Sequence, residues 1–136
     1  MWRTVLGAFL AVAIAGAAQA GAPADVSVES MPPVVVKTVP QAGDVRVDPA
    51  TAAIEVTFSK PMLDGNWSWV QISEETFPPV TGKVHYEEDQ RTCVLPVKLD
   101  PGKTYVVWLN SQSHSNFKDT ERRPAVPYLL VFQTRK

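Results

Sequence analysis

"AIEVTFSKPM", residues 53–62, sets the pattern for the chain. Ile54, Val56 and Phe58 alternate with Glu55 and Thr57. In an extended backbone the three apolar side chains point one way and the polar pair the other. Pro61 closes the run, because proline has no N–H to give to a strand ladder. A strand with one apolar face needs a second layer to bury it.

The same rhythm runs outward in both directions. Short β-branched or aromatic runs occupy 34–39, 68–72, 83–86, 91–97, 104–109 and 128–134. Turns rich in Pro, Gly and Asp separate them, among them "PQAGDVRVDP" at 40–49 and Asp64-Gly65. In the run 91–97, Cys93, Leu95 and Val97 share a face, and Pro96 predicts an edge or bulged strand rather than a central one. No stretch carries a helical stripe of useful length. Seven short strands in about 100 residues predict an all-β fold, a seven-strand immunoglobulin-like (Greek-key) β-sandwich. A small barrel is the alternative. "LDPGKTYVVWL", residues 99–109, favours the sandwich. A Pro-Gly turn there leads into Tyr105, a corner tyrosine able to bury its ring and return its hydroxyl to the backbone. Trp108 then faces away from Tyr105, Val107 and Leu109, on an outer surface.

The N-terminus reads as an export signal. Arg3 precedes an uncharged apolar run at 5–18, and Ala18-Gln19-Ala20 has the small-x-small form of a cleavage site. The run is shorter than the roughly 18 residues expected of a spanning helix. The expected organisation is a signal peptide at 1–20, a flexible lead-in at 21–33 and the sandwich at 34–136. The mature protein is then secreted, periplasmic or extracellular, with no transmembrane segment. Over the full chain 13 Lys and Arg face 14 Asp and Glu, and loss of Arg3 leaves a net charge near −2. That balance excludes long-range attraction to nucleic acid. Cys93 is the one cysteine, so no internal disulfide forms. It is expected as a small buried hydrophobe in a domain held by packing alone.

Candidate chemistry is sparse. His85 and His114 lie in different segments, and Met31 and Met62 read as packing residues. Asp44, Asp48, Asp64 and Asn66 are turn oxygens without the length or regularity of a calcium loop. In Ser113-His114-Ser115 adjacent side chains point apart, which is no catalytic dyad. Glu87-Glu88-Asp89 reads as a solvated turn, and "GKT" at 102–104 lacks the glycine-rich loop of a phosphate cradle. No enzyme and no cofactor are expected. Trp67 and Trp69 share a face if their run is extended. They pack at the rim of the core, or form an aromatic pair for a sugar or a protein partner. The connection 110–127 is long for so small a domain, as binding loops often are. The candidate ligand-binding residues are therefore Trp67, Trp69, Asn116 and Lys118.

The segment "PPVVVKTVPQAGDVRVDP…IEVTFSKPM" resembles the opening of the bacterial Ig-like domain named after surface-layer proteins, the SbsA type. Pro40, Gly43, Val47, Ile54, Val56, Phe58, Ser59, Lys60, Pro61 and Met62 carry the likeness. "LDPGKTYVVWLN…NFKDTERRPAVPYLLVFQT" resembles the closing strands, with Arg122 and Arg123 where the family often has Gly. The resemblance implies a non-catalytic binding or structural module of the cell envelope. Its expected partner is an envelope protein or a surface polymer, and its expected state a monomer. The opening is also similar to that of the CopC-like periplasmic copper-resistance proteins. That alternative implies a copper site, for which His85, His114 and Met62 are the available ligands. The N-terminal histidine of those proteins is missing, since the mature chain starts Gly21-Ala22-Pro23.

Overall fold

The computed structural model describes residues 25–136, so the expected signal peptide and the first lead-in residues lie outside the described part. Seven strands form: β1 (Val35–Val39), β2 (Ala53–Phe58), β3 (Trp69–Gln71), β4 (His85–Tyr86), β5 (Thr92–Pro96), β6 (Thr104–Leu109) and β7 (Tyr128–Gln133). They build two antiparallel sheets, ordered β1-β2-β5-β4 and β3-β6-β7. The connections β2–β3, β3–β4 and β5–β6 cross between sheets, the strand order of an immunoglobulin-like sandwich.

The alternation that predicted β2 also places the core. Ile54, Val56 and Phe58 are fully buried, and so are Tyr105 and Val107 of β6 and Leu130 of β7. Phe117, from the connection after β6, wedges against Phe58 with ring centroids 5.0 Å apart. Tyr105 stacks on Phe132 at 5.4 Å, and its hydroxyl accepts a hydrogen bond from the Asp100 N–H at 2.7 Å. This is the corner tyrosine the turn predicted. Trp108 is half-buried on the outer face of its sheet. Gly65 has φ of 77°, the left-handed backbone that the Asp64-Gly65 turn needs. Cys93 is buried, and burial pushes its thiol up to about 12.

One expectation is corrected. β5 is not an edge strand: it lies between β2 and β4. Pro96 is tolerated there because it is the last residue of β5 and β4 is only two residues long. β4 pairs His85 with Val94 and Tyr86 with Cys93, so its ladder stops short of Pro96. The Pro96 carbonyl is still used, accepting from Thr81 N at 3.0 Å. Gly82 passes so close that a Cβ there would sit 3.2 Å from the Pro96 ring.

The segment before β1 is tied to the sandwich by carbonyl groups. Lys60 Nζ donates to the carbonyls of Glu29 and Met31, and Arg123 Nη2 donates to that of Glu29 at 2.6 Å.

Candidate functional site

The three-stranded sheet has two edges, and they differ. Residues 43–47 run beside β7 and cover its edge: Gly43 N donates to Val131 O, Gln133 N to Asp44 O and Val47 N to Gln133 O. β3, at the other edge, pairs with β6 alone. The Asn110 N–H donates to Ser68 O at 3.1 Å, which turns Ser68 and Val70 toward β6. By antiparallel alternation Trp69 and Gln71 then direct their N–H and C=O groups outward.

A groove of about 550 Å³ opens along this bare edge. Residues 67–71 form one side, Phe77, Val80 and Val84 the other, and the buried Leu95 lies between the sheets. His114 and Asn116 line it as well. None of the lining side chains is a carboxylate, ammonium or guanidinium. Trp67 and Trp69 are half-buried and pack on the core while facing the groove. Trp69 meets the edge of Phe117 at 5.4 Å and 76°. Its Nε1 is buried without a hydrogen-bond partner among the described residues, and so is Tyr86 Oη. Both lie beside the Cys93 thiol, and burial raises Tyr86 far above the ordinary phenol range.

The connection 110–127 is stitched down by two buried polar residues. Asn110, with φ of 60°, donates from Nδ2 to the carbonyls of Phe117 (2.9 Å) and Ala125 (3.1 Å). Its Oδ1 accepts from Phe117 N at 2.9 Å. Asn116 N donates to Ser68 Oγ at 2.9 Å, locking this connection to the start of β3. Asp119 is fully buried and fully used. Lys60 Nζ and Arg123 Nε each reach its Oδ2 at 2.9 Å, while the N–H groups of Glu121 and Arg123 donate to Oδ1. Desolvation works to raise this carboxyl, but the donors from Lys60, Arg123 and Glu121 outweigh it and hold it down at about 2. The Arg122-Arg123 departure finds its place here. Arg122 adopts φ of 68° and Arg123 supplies the guanidinium.

Of the candidate ligand-binding residues, Trp67, Trp69 and Asn116 share the groove. Lys118 does not line it. Its backbone bridges to Pro124 and its carbonyl accepts from Leu63 N. The residues considered for copper occupy separate places. His114 lines the groove, with Nδ1 3.0 Å from Ser113 Oγ. His85 is exposed on β4 with Nδ1 3.0 Å from Lys83 O, and Met62 is buried and bridged to Asp119. Among the described residues no three His, Cys, Asp or Glu side chains gather into a metal-binding group. Sequence reasoning missed Phe77, Val80 and Val84, which reach the groove only through the tertiary crossing between sheets. It also missed Asn110, whose position at the end of a strand and before a long connection was the available signal.

Comparison with known proteins agrees with this architecture. The S-layer protein rSbsC, in a crystal structure of its residues 31–844, is similar at a TM-score of 0.50 and 23% identity. The match covers 79% of this chain and 14% of that one, so this chain spans about one seventh of that protein's length. No curated protein matches the chain. The family profile described as bacterial Ig-like domain matches residues 29–134, nearly all of the described structure. The chain belongs to the bacterial Ig-like domain family.

Proposed function

We propose that this chain is an exported, non-catalytic Ig-like binding module of the cell envelope, which docks an envelope protein or surface polymer through the β3 groove. The observation that carries the reading is the groove itself: an uncharged, aromatic-lined trough containing Trp67 and Trp69 at an uncovered sheet edge. Pockets of roughly 300–1,000 Å³ lined by apolar side chains with a few polar groups are where proteins of this size take ligands. The sequence at 1–20, which has the form of an export signal, supports the location. The family supports a modular role, since such sandwiches host many functions on one scaffold.

Co-sedimentation of residues 21–136 with purified cell-wall polysaccharide, and separately with washed envelope protein, tests the reading. Retention by one of the two is expected, reduced at least about tenfold by Trp67→Ala. Equal retention of Trp67→Ala, in a protein that still melts cooperatively, overturns it.

A further inference from the structure

The sandwich has four edge strands, and three are blunted. β7 is covered by residues 43–47. β1 carries a bulge between Val35 and Lys37, follows Pro32 and Pro33, and exposes Lys37. β4 is two residues long, with Lys83 before it and Glu87, Glu88 and Asp89 after. Covers, bulges, prolines, charges and short strands are the devices that stop an edge from pairing with another chain. β3 lacks a cover, and residues 65–73 contain no charge and no proline. Its outward N–H and C=O groups, at Trp69 and Gln71, have no backbone partner among the described residues and open on the apolar groove.

The occupant is constrained by area and by charge. Two copies meeting β3 to β3 share only three residues each, about 10 Å of strand. So short a ladder leaves nearly all of the roughly 800 Å² per partner of a stable dimer to be found elsewhere. The groove reaches the buried Leu95 between the sheets, so an occupant gains most by setting side chains into it from a strand laid along β3. Its lining offers no carboxylate, ammonium or guanidinium, so a Lys, Arg, Asp or Glu side chain placed inside is desolvated without a permanently charged partner. A sugar can stack on an indole but does not match the alternating donors and acceptors of a strand edge.

We propose that β3 is completed by strand addition. An extended, uncharged peptide segment from another polypeptide pairs along Trp69 and Gln71 and sets alternate apolar side chains into the groove. This rests on reading the groove as the docking surface. In this mode main-chain hydrogen bonds supply affinity and the groove selects side chains.

Amide hydrogen exchange on residues 21–136 tests it. The probe is a capped heptapeptide alternating threonine and valine, at millimolar concentration. The N–H groups of Trp69 and Gln71 should slow at least about tenfold, while that of Val70, already bonded to β6, stays unchanged. The same peptide, N-methylated at the residues facing β3, should give no protection. Gln71→Pro removes the outward N–H and leaves the β6 ladder intact. It should melt within a few degrees of the parent and bind the peptide at least about tenfold more weakly. No protection at Trp69 and Gln71, or equal binding of the N-methylated peptide, overturns strand addition. So does protection of these two amides by an N-acetylglucosamine oligomer when the peptide gives none. In the last two cases the groove still stands as a docking surface. If the peptide protects both amides but Trp67→Ala leaves envelope retention unchanged, strand addition holds and the envelope reading falls.

Discussion

Residues 72–84 and 110–127 are the two long connections that flank the groove, and they are held in opposite ways. The second is anchored from within. Asn110 and Asp119 are buried, every oxygen of Asp119 is matched by donors, and Phe117 plugs the space between Phe58 and Trp69. The first packs Phe77 and Val84 against the core but has no buried polar anchor. Its backbone ties are Thr76 O to Val106 N, Pro79 O to Lys98 N and Thr81 N to Pro96 O, and none of its polar residues is buried. Buried, satisfied polar groups fix one arrangement, because any other leaves them unpaired. The difference teaches that one connection is fixed by buried polar groups, while the other rests on apolar packing that can re-form around an occupant.

The largest expected effect comes from removing Asp119. Asp119→Ala leaves Lys60, itself buried, with only the carbonyls of Glu29 and Met31, and frees the N–H groups of Glu121 and Arg123. Breaking a buried pair from one side costs about 3–5 kcal/mol. Urea denaturation should show that loss, with faster amide exchange concentrated in 117–126. A loss below about 1 kcal/mol breaks the comparison, since the wall would then be held by packing alone. The pH dependence has a defined sign. Asp119 sits at about 2 when folded against an ordinary 3.8. Its contribution is therefore complete above pH 4 and is lost as pH falls through 2. About 2 kcal/mol should disappear over that window in the parent and not in Asp119→Asn.

Next is Asn110. Asn110→Gly keeps the left-handed backbone without strain but deletes three hydrogen bonds to buried groups of Phe117 and Ala125. About 2–3 kcal/mol should be lost in thermal or urea unfolding. Because the groove residue Asn116 hangs on the same connection through Ser68, the variant should also weaken ligand retention. Retention unchanged at full loss of stability would separate the anchored wall from the binding surface.

The sequence showed much of this fold and little of this contrast. Short β-branched and aromatic runs between turns located all seven strands, with clean alternation in β2, and a turn followed by Tyr105 announced the corner hydrogen bond. Strand order is not a local property, which is why Pro96 misled. Pro96 pairs with Ala53 of β2, but its backbone polar groups face the other side, where β4 has already ended and no N–H is called for. Asn110 and Asp119 look like ordinary loop polar residues until Lys60, distant in the chain, is brought to the carboxylate. Trp67, Trp69 and Asn116 were legible as candidates because aromatic residues and a long connection stand out locally. Lys118 was misplaced because its neighbour Phe117 turns inward and its own backbone pairs with Pro124.

Between the two connections, beside Cys93, two buried polar atoms are left unmatched among the described residues, Tyr86 Oη and Trp69 Nε1. Tyr86 Oη has no partner that meets hydrogen-bond geometry, only the Cys93 thiol beside it. Tyr86→Phe removes an unsatisfied group and should stabilise the domain by up to about 1 kcal/mol. A loss of similar size would show that the phenol is bonded to the thiol in solution, and that buried polar pairing extends from Asn110 and Asp119 to β4.

The smallest expected change in stability is the sharpest for the comparison. Val80 is half exposed, lines the groove and is bridged to Val97 only through its backbone. Val80→Asp removes little buried apolar area and leaves that backbone contact available, so unfolding should shift by no more than about 0.5 kcal/mol. In the groove the same change sets a carboxylate where the lining holds no ammonium or guanidinium. Any occupant that desolvates it must bear the penalty of an unpaired charge. The variant should therefore fold like the parent and lose retention, the reverse of an anchoring-wall variant whose stability falls first. If Val80→Asp instead unfolds the domain, residues 72–84 belong to the core as much as 110–127 do. The groove would then be a packing fault between two rigid walls rather than a surface open to a partner.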